Sequence, residues 1–178
     1  MKCTDILIQD HKIILRALDI LEQMAARTEK RQPVEPEDVE TLLRFLRTFA
    51  DDHHQVKEEC ALFPELMRTS LANDGRLRQM AFEHDQERSL VEGLEDALRT
   101  KNGPDFVHFA NWLARLIRTH IHKEDNILFE IAQRSLSEEQ DERITAELEK
   151  FQVDPRIVAD LECLERTYLR RAACCVNL

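Results

Sequence analysis

Two stretches of this chain carry the same reactive side chains in the same order. His54 to Phe63 reads HQVKEECALF, and His120 to Phe129 reads HIHKEDNILF. An offset of 66 residues carries His54 onto His120, Lys57 onto Lys123, Glu58 onto Glu124, Glu59 onto Asp125, Leu62 onto Leu128 and Phe63 onto Phe129. A histidine and a glutamate four residues apart lie one turn apart on one helix face, so both reach one point in a bundle core. A charged glutamate on an apolar face is costly without a partner. A metal ion is one such partner, and it takes the imidazole as well. A lone H-x-x-x-E arises by chance on solvated helices. Two copies that also share the flanking K-E-acid and L-F residues carry far more weight.

The rest of the chain must position those side chains, and its composition points to helices. Three glycines and five prolines in 178 residues leave few breakers for a β-rich fold. Leu, Glu, Arg and Ala dominate, as in helical bundles. The length suits a single core. A formal charge of −10 with no basic run argues against a nucleic-acid partner. No run of about 18 apolar residues is present, so no transmembrane helix and no membrane partner are expected. The opening MKCTDILIQD meets acid and histidine too early for a signal peptide, and a cytoplasmic location is expected. Cys3, Cys60, Cys163, Cys174 and Cys175 are odd in number and lack framework spacing, which fits reduced thiols.

Hydrophobic periodicity predicts a first helix over about 5–27, capped by Thr4, with Leu7, Ile14, Leu18 and Leu21 on one stripe and His11 between them. A second helix is expected over 36–69, opened by Pro36, with Val39, Leu43, Leu46, Ala50, His54, Glu58 and Ala61 inward and a kink, or the end of its regular part, at Pro64. After an Asn73-Asp74-Gly75 turn, a third helix over 74–101 places Leu77, Met80, His84, Val91, Leu94 and Leu98 on its stripe. A fourth, over 104–134, turns Phe106, Phe109, Leu113, Ile117, His120, Glu124, Ile127 and Ile131 inward. Ser137 and Gln140 form a capping box for a shorter helix. Asp154-Pro155 starts a last helix to about Ala173. The expected architecture is all-α: an up-down-up-down four-helix bundle over residues 1–135, with a C-terminal extension of one or two helices over 136–178 packed on it.

Short connections make neighbouring helices antiparallel. His11 then falls near the start of its helix, His84 about three turns after the start of its own, and the two H-x-x-x-E pairs about three turns before the ends of theirs. All four positions share one layer. Six ligand-type side chains are expected to meet there: His11, His54, Glu58, His84, His120 and Glu124. Without a metal, six such buried groups are hard to satisfy. Four imidazoles and two carboxylates suit borderline-to-hard divalent ions. A structural zinc needs only four ligands, commonly with cysteine among them. The set suits two ions bridged by the glutamates, with iron the first choice and manganese or a mixed pair the alternatives.

On these residues the chain resembles the hemerythrin-like (HHE cation-binding) family over about Asp5 to Gln133. The resemblance rests on His11, HQVKEECALFP from His54, the EHD around His84 and HIHKEDNILF from His120. It implies a four-helix bundle holding two iron ions as a non-haem Fe-O-Fe centre, oxo- or hydroxo-bridged. His11, His54, His84 and His120 would be terminal ligands, and Glu58 and Glu124 bridging carboxylates. The oxygen-carrying members have a fifth histidine where this chain has Arg88, and H-x-x-x-x-D on the last helix where this chain has H-x-x-x-E. The pattern looks more like the branch with iron-centre repair proteins and the iron-sensing domain of a ubiquitin ligase subunit. The resemblance therefore implies binding or sensing of O2, NO, peroxide or iron through open coordination positions. The alternative is an enzyme: a di-iron peroxidase or oxidase, or an iron-donating factor for cluster repair. A small diatomic or peroxide ligand is expected, with a redox or iron-accepting protein partner, in a monomer or homodimer.

Other residues read more plainly. His53 and His122 sit about 100° round the helix from the ligand histidines and are expected at the boundary or surface. His108 lies far from the layer. Lys57 and Lys123 are expected to face solvent and pair with nearby acids. Phe63, Phe129 and Trp112 are expected as core or site-wall residues, and Tyr168 as packing. Asp85 is expected at the surface and Cys174-Cys175 in an incidental tail; Glu87 lies near enough to the layer to be an extra ligand, which is the less favoured reading.

Overall fold

The computed structural model describes residues 2–69 and 75–169, and these form six helices with no strand among them. Helix α1 spans Cys3–Glu29. Its N-cap is Lys2 rather than the expected Thr4. The Lys2 N–H donates to the Asp5 carboxylate at 2.8 Å, and Thr4, inside the helix, accepts a bond from Gln133. Helix α2 covers residues 36–66. It is α-helical over Pro36–Phe45, π-helical over Leu46–Gln55 and again over Glu58–Leu62, and α-helical over Phe63–Leu66. Pro64 does not end the helix. It falls in the first turn after a π segment, where a missing N–H and a fixed φ conflict least.

Helix α3, Arg76–Arg99, is capped by Gly75 at φ 82°, a left-handed conformation that favours glycine. Asn73 and Asp74 of the expected turn lie outside the described residues. Helix α4 covers residues 103–135, with a π segment at Glu124–Leu128 between Gly103–Lys123 and Phe129–Ser135. Asn102 caps it by accepting the Asp105 N–H at 3.1 Å. Helix α5, Glu138–Leu148, carries the expected Ser137–Gln140 capping box, and α6, Pro155–Tyr168, is capped by Asp154. Cys174, Cys175 and the expected continuation of α6 to Ala173 lie outside the described residues.

The four long helices pack in ring order, each against its two neighbours; α5 lies on α1 and α2, and so does α6. The buried apolar residues divide into two clusters. One contains Leu18, Leu43, Leu94 and Leu113 and is closed by Leu161 and Leu164 of α6. The other contains Leu7, Leu62, Met80 and Phe129 and is closed by Ile144 and Leu148 of α5. Burial of each such side chain stabilises the fold by about 1.5–3 kcal/mol. The histidines lie between the clusters: His11 follows Leu7 and precedes Ile14, and His84 follows Met80 and precedes Val91. A polar layer is thus clamped by apolar packing on both sides.

The π segments Glu58–Leu62 and Glu124–Leu128 are themselves 66 residues apart, and each begins at the glutamate of its motif. A π turn carries one residue more than an α turn, so the inward stripe shifts by one position beyond it. Ile127, expected inward, is therefore 42% exposed, while Leu128, Phe129 and Ala132 are buried. Trp112 is also not a core residue; it is 45% exposed and packs edge-on against His108. Tyr168 is a packing residue whose hydroxyl donates to Asp38 at 2.8 Å. Among the described residues no helix is long and apolar enough to cross a membrane.

Candidate metal centre

The six residues singled out by spacing converge in one buried layer. His11, Glu58, His84 and Glu124 are fully buried, and His54 and His120 are 3% exposed. They form two groups of four. His11, His54, Glu58 and Glu124 offer ligand atoms all within 4.8 Å of one another, and so do Glu58, His84, His120 and Glu124. Both glutamates belong to both groups, as carboxylates between two ions would.

Hydrogen bonding supports the fit. Both carboxylate oxygens of Glu58, both of Glu124, and His11 Nε2 are buried with no hydrogen-bond partner. His11 Nε2 lies 3.2 Å from Glu124 Oε2, His84 Nε2 3.4 Å from Glu58 Oε2, and His120 Nε2 3.1 Å from Glu124 Oε1. His84 Nε2 and His120 Nε2 face each other at 3.1 Å. Buried acceptors left unpaired are rare and costly, and imidazole nitrogens facing them form a donor set that divalent cations fit.

The other nitrogen of each ring is held from outside by a carboxylate. His11 Nδ1 is 2.7 Å from Asp125, His84 Nδ1 2.7 Å from Glu59, His120 Nδ1 2.9 Å from Glu83, and His54 Nδ1 3.4 Å from Asp10. Such acceptors fix the ring orientation and tautomer, and make the inner nitrogen a better ligand. Sequence reasoning missed all four acids. A signal was present: Glu59 and Asp125 follow the motif glutamates, and Asp10 and Glu83 directly precede His11 and His84.

These contacts obey an approximate two-fold exchange of α1–α2 with α3–α4. It pairs His11 with His84, Asp10 with Glu83, and each residue of the first motif with its copy. Phe63 stacks on His84 at 5.9 Å and Phe129 on His11 at 5.6 Å, so both are site-wall residues as expected. Lys57 donates to Asp10 at 2.8 Å, and Lys123 donates to Glu83. The expectation that Lys57 faces solvent fails: it is 3% exposed. The chain turns it inward to Asp10 and to His53 Nε2, 2.7 Å away. His53 sits at the edge of the core, His122 is exposed beside Asn126, and Asp85 is a surface partner of Arg88.

Charge is poised throughout the layer. Burial opposes a charge on His11, but Asp125 and Glu124 outweigh it and raise its pKa to about 10. Burial likewise opposes charge on His84, while Glu58 and Glu59 raise it to about 9. His120 is also raised, its burial overcome by Glu124 and Glu83. Glu124 is held well below the usual carboxylate range, its burial outweighed by His120 and His11. Burial, then the Lys57 charge, lowers His53 to about 4, so it is neutral and accepts from Lys57.

The exchange fails along one wall. Glu87 and Gln55, bonded to each other at 2.6 Å, stand where the opposite half has Ile14 and Ile121. Arg88 bonds Glu59 at 2.9 Å and Asp51 at 2.8 Å, where the opposite half has Leu15 and Ile117. Burial pushes the Glu87 carboxyl up to about 7.

No curated protein and no solved structure was found to match. A family profile described as the hemerythrin HHE cation binding domain matches residues 3–132. That match takes in all four long helices and all six converging residues, and the chain belongs to the hemerythrin HHE cation-binding domain family.

Proposed function

We propose that this protein is a non-haem di-iron module that binds or senses a small ligand: O2, NO, peroxide or iron itself. His11 and His54 would hold one ion, His84 and His120 the other, and Glu58 and Glu124 would bridge them. The observation that carries the reading is the pair of four-residue groups sharing both glutamates, whose four buried oxygens have no hydrogen-bond partner. Two histidines and two shared carboxylates leave coordination positions for an outside ligand on each ion. When bound, iron would supply Lewis acidity and one-electron redox chemistry.

The chain's own part is to orient, to insulate and to manage protons. Asp10, Glu59, Glu83 and Asp125 hold the rings so that their Nε2 atoms point inward. Phe63 and Phe129 cover two of the rings, and the clusters above and below keep water out. Neighbouring carboxylates raise the His11 and His84 pKa values, so metal binding would compete with protons at these rings.

The test is metal analysis of protein made with ample iron, read with its ultraviolet-visible spectrum before and after reduction and re-exposure to air. About two irons per chain, with an absorption that bleaches on reduction and returns in air, is the expected result. Zinc, a single metal or none would overturn the di-iron reading while leaving the fold untouched.

A further inference from the structure

The wall that breaks the two-fold exchange borders two small cavities. The inner one has room for the centre of one water molecule, about 10 Å³, and it touches His54 and His120 directly. The outer one, about 20 Å³, is bounded by Arg47, Asp51 and Arg88, each partly exposed. Both cavities are lined by Gln55 and Glu87. That pair therefore stands between the surface and the layer of histidines.

The polar atoms of this wall are specific in what they ask for. Gln55 is 5% exposed and Glu87 4%. Gln55 Nε2 donates to Glu87 Oε2, which fixes the amide orientation. Gln55 Oε1 and Glu87 Oε1 are left buried with no hydrogen-bond partner. With Glu87 ionised, the two unpaired acceptors, Glu87 Oε1 lying 3.9 Å from His120 Nδ1, call for a ligand that donates twice. The facing wall of Ile14, Ile117 and Ile121 offers no hydrogen bond at all. Water and hydrogen peroxide each carry two O–H donors; the inner cavity holds one water, and peroxide, with its second oxygen, would need the outer cavity as well. O2 and NO carry none, so with Glu87 ionised they gain no hydrogen bond from these two oxygens.

We propose that Gln55 and Glu87 form the way in, and the seat, for a small hydrogen-bond-donating ligand beside the two-metal centre, and that the reactive ligand of this class is hydrogen peroxide. The proposal rests on the di-iron reading and narrows it. Gln55 and Glu87 are positioning residues for the ligand; they are not needed to hold the ions.

The experiment compares wild type with Gln55→Leu/Glu87→Leu and with the conservative Glu87→Gln. Iron content is measured first. Reduced, iron-loaded protein is then mixed with hydrogen peroxide or with O2 and followed by stopped-flow absorbance. Peroxide takes one electron from each ferrous ion and two protons, its O–O bond breaks, and it leaves as two waters. The double variant should keep its iron, react with peroxide at least about tenfold more slowly, and change less than about twofold with O2. Glu87→Gln keeps an acceptor oxygen and should recover part of the peroxide rate. An unchanged peroxide rate, or an equal fall with both oxidants, overturns the proposal. Loss of iron from the double variant also overturns it, by making Glu87 a metal ligand. If the wild type itself holds no iron, the di-iron reading fails separately. The seat is then judged in crystals of metal-free protein soaked in hydrogen peroxide. Density bridging Gln55 Oε1 and Glu87 Oε1 supports it, and none overturns it.

Discussion

Replacing Asp125 by Asn, or Glu59 by Gln, tests the centre without touching any residue that would contact metal. His11 Nδ1 meets Asp125 at 2.7 Å, and His84 Nδ1 meets Glu59 at the same distance. An amide still accepts the Nδ1 proton but brings no charge, so the ring keeps its place while its inner nitrogen becomes a weaker ligand. Loss of an outer carboxylate lowers metal affinity by about 10–100-fold, or about 1.4–2.8 kcal/mol. On the proposed two-ion reading each acid would serve a different ion, so each single variant should weaken one of two binding steps. Glu59 is also held by Arg88 at 2.9 Å, whereas Asp125 has no matching arginine. The assay is anaerobic titration of metal-free protein with ferrous iron against a competing chelator. His122→Ala, at an exposed position, serves as the control and should bind as wild type. Wild-type affinity in both acid variants would refute the reasoning. So would a loss of both ions from either one, because the outer acids would then be holding the fold together and not tuning one ring.

Glu58→Ala and Glu124→Ala should each hold less than about half of the wild-type iron, since each removes a carboxylate shared by both groups; Arg88→Ala should keep nearly all of it, and elemental analysis decides. Lys57→Met strips one buried partner from Asp10, which keeps His54 at 3.4 Å, and should cost about 1–3 kcal/mol in denaturant unfolding. Lys123→Met should cost about 1 kcal/mol or less, because Lys123 is 26% exposed. Metal-free protein should be most stable near neutral pH. His11 and His84, raised to about 10 and about 9, contribute fully below their unfolded value of about 6.5 and lose that contribution as pH rises through 9 to 10. Glu83 is lowered to about 2 because His120 and Lys123 outweigh its burial; it contributes above about 4.5 and loses this as pH falls toward 2. Thermal melts from pH 4 to 10 should fall at both ends, and iron should flatten the alkaline fall by replacing the protons.

The bundle and its inner six residues were legible in the sequence because they depend on periodicity. A residue's place on its own helix is fixed by spacing, and antiparallel order then fixes the layer, which is why His11, His54, Glu58, His84, His120 and Glu124 could be placed together. What spacing does not determine is which neighbouring helix a side chain meets. Asp10, Glu59, Glu83 and Asp125 sit one residue away from the inner stripe, about 100° round the helix. From there each reaches across to a histidine on another helix, a contact that only packing creates. Lys57 illustrates the same limit: its copy Lys123 is partly exposed, yet Lys57 is buried, because it meets His53 as well as an acid, where the other half has Thr119 and only the acid Glu83.

The π segments mark the second boundary. Their hydrogen bonds run to a more distant residue than in an α-helix, and nothing in local preference calls for that. Glu58 and Glu124 begin these segments in both halves, and beyond Glu124 the stripe slips by one residue, exposing Ile127 and burying Leu128, whereas Ala61, the copy of Ile127, stays buried. The sequence by itself determined the helices, the duplicated motif and the types of side chain in the buried layer, since those follow from residue order along one chain. The tertiary structure alone decided the outer carboxylates, the buried lysine and the polar wall of Gln55 and Glu87, since each depends on the surface that a neighbouring helix brings to meet it.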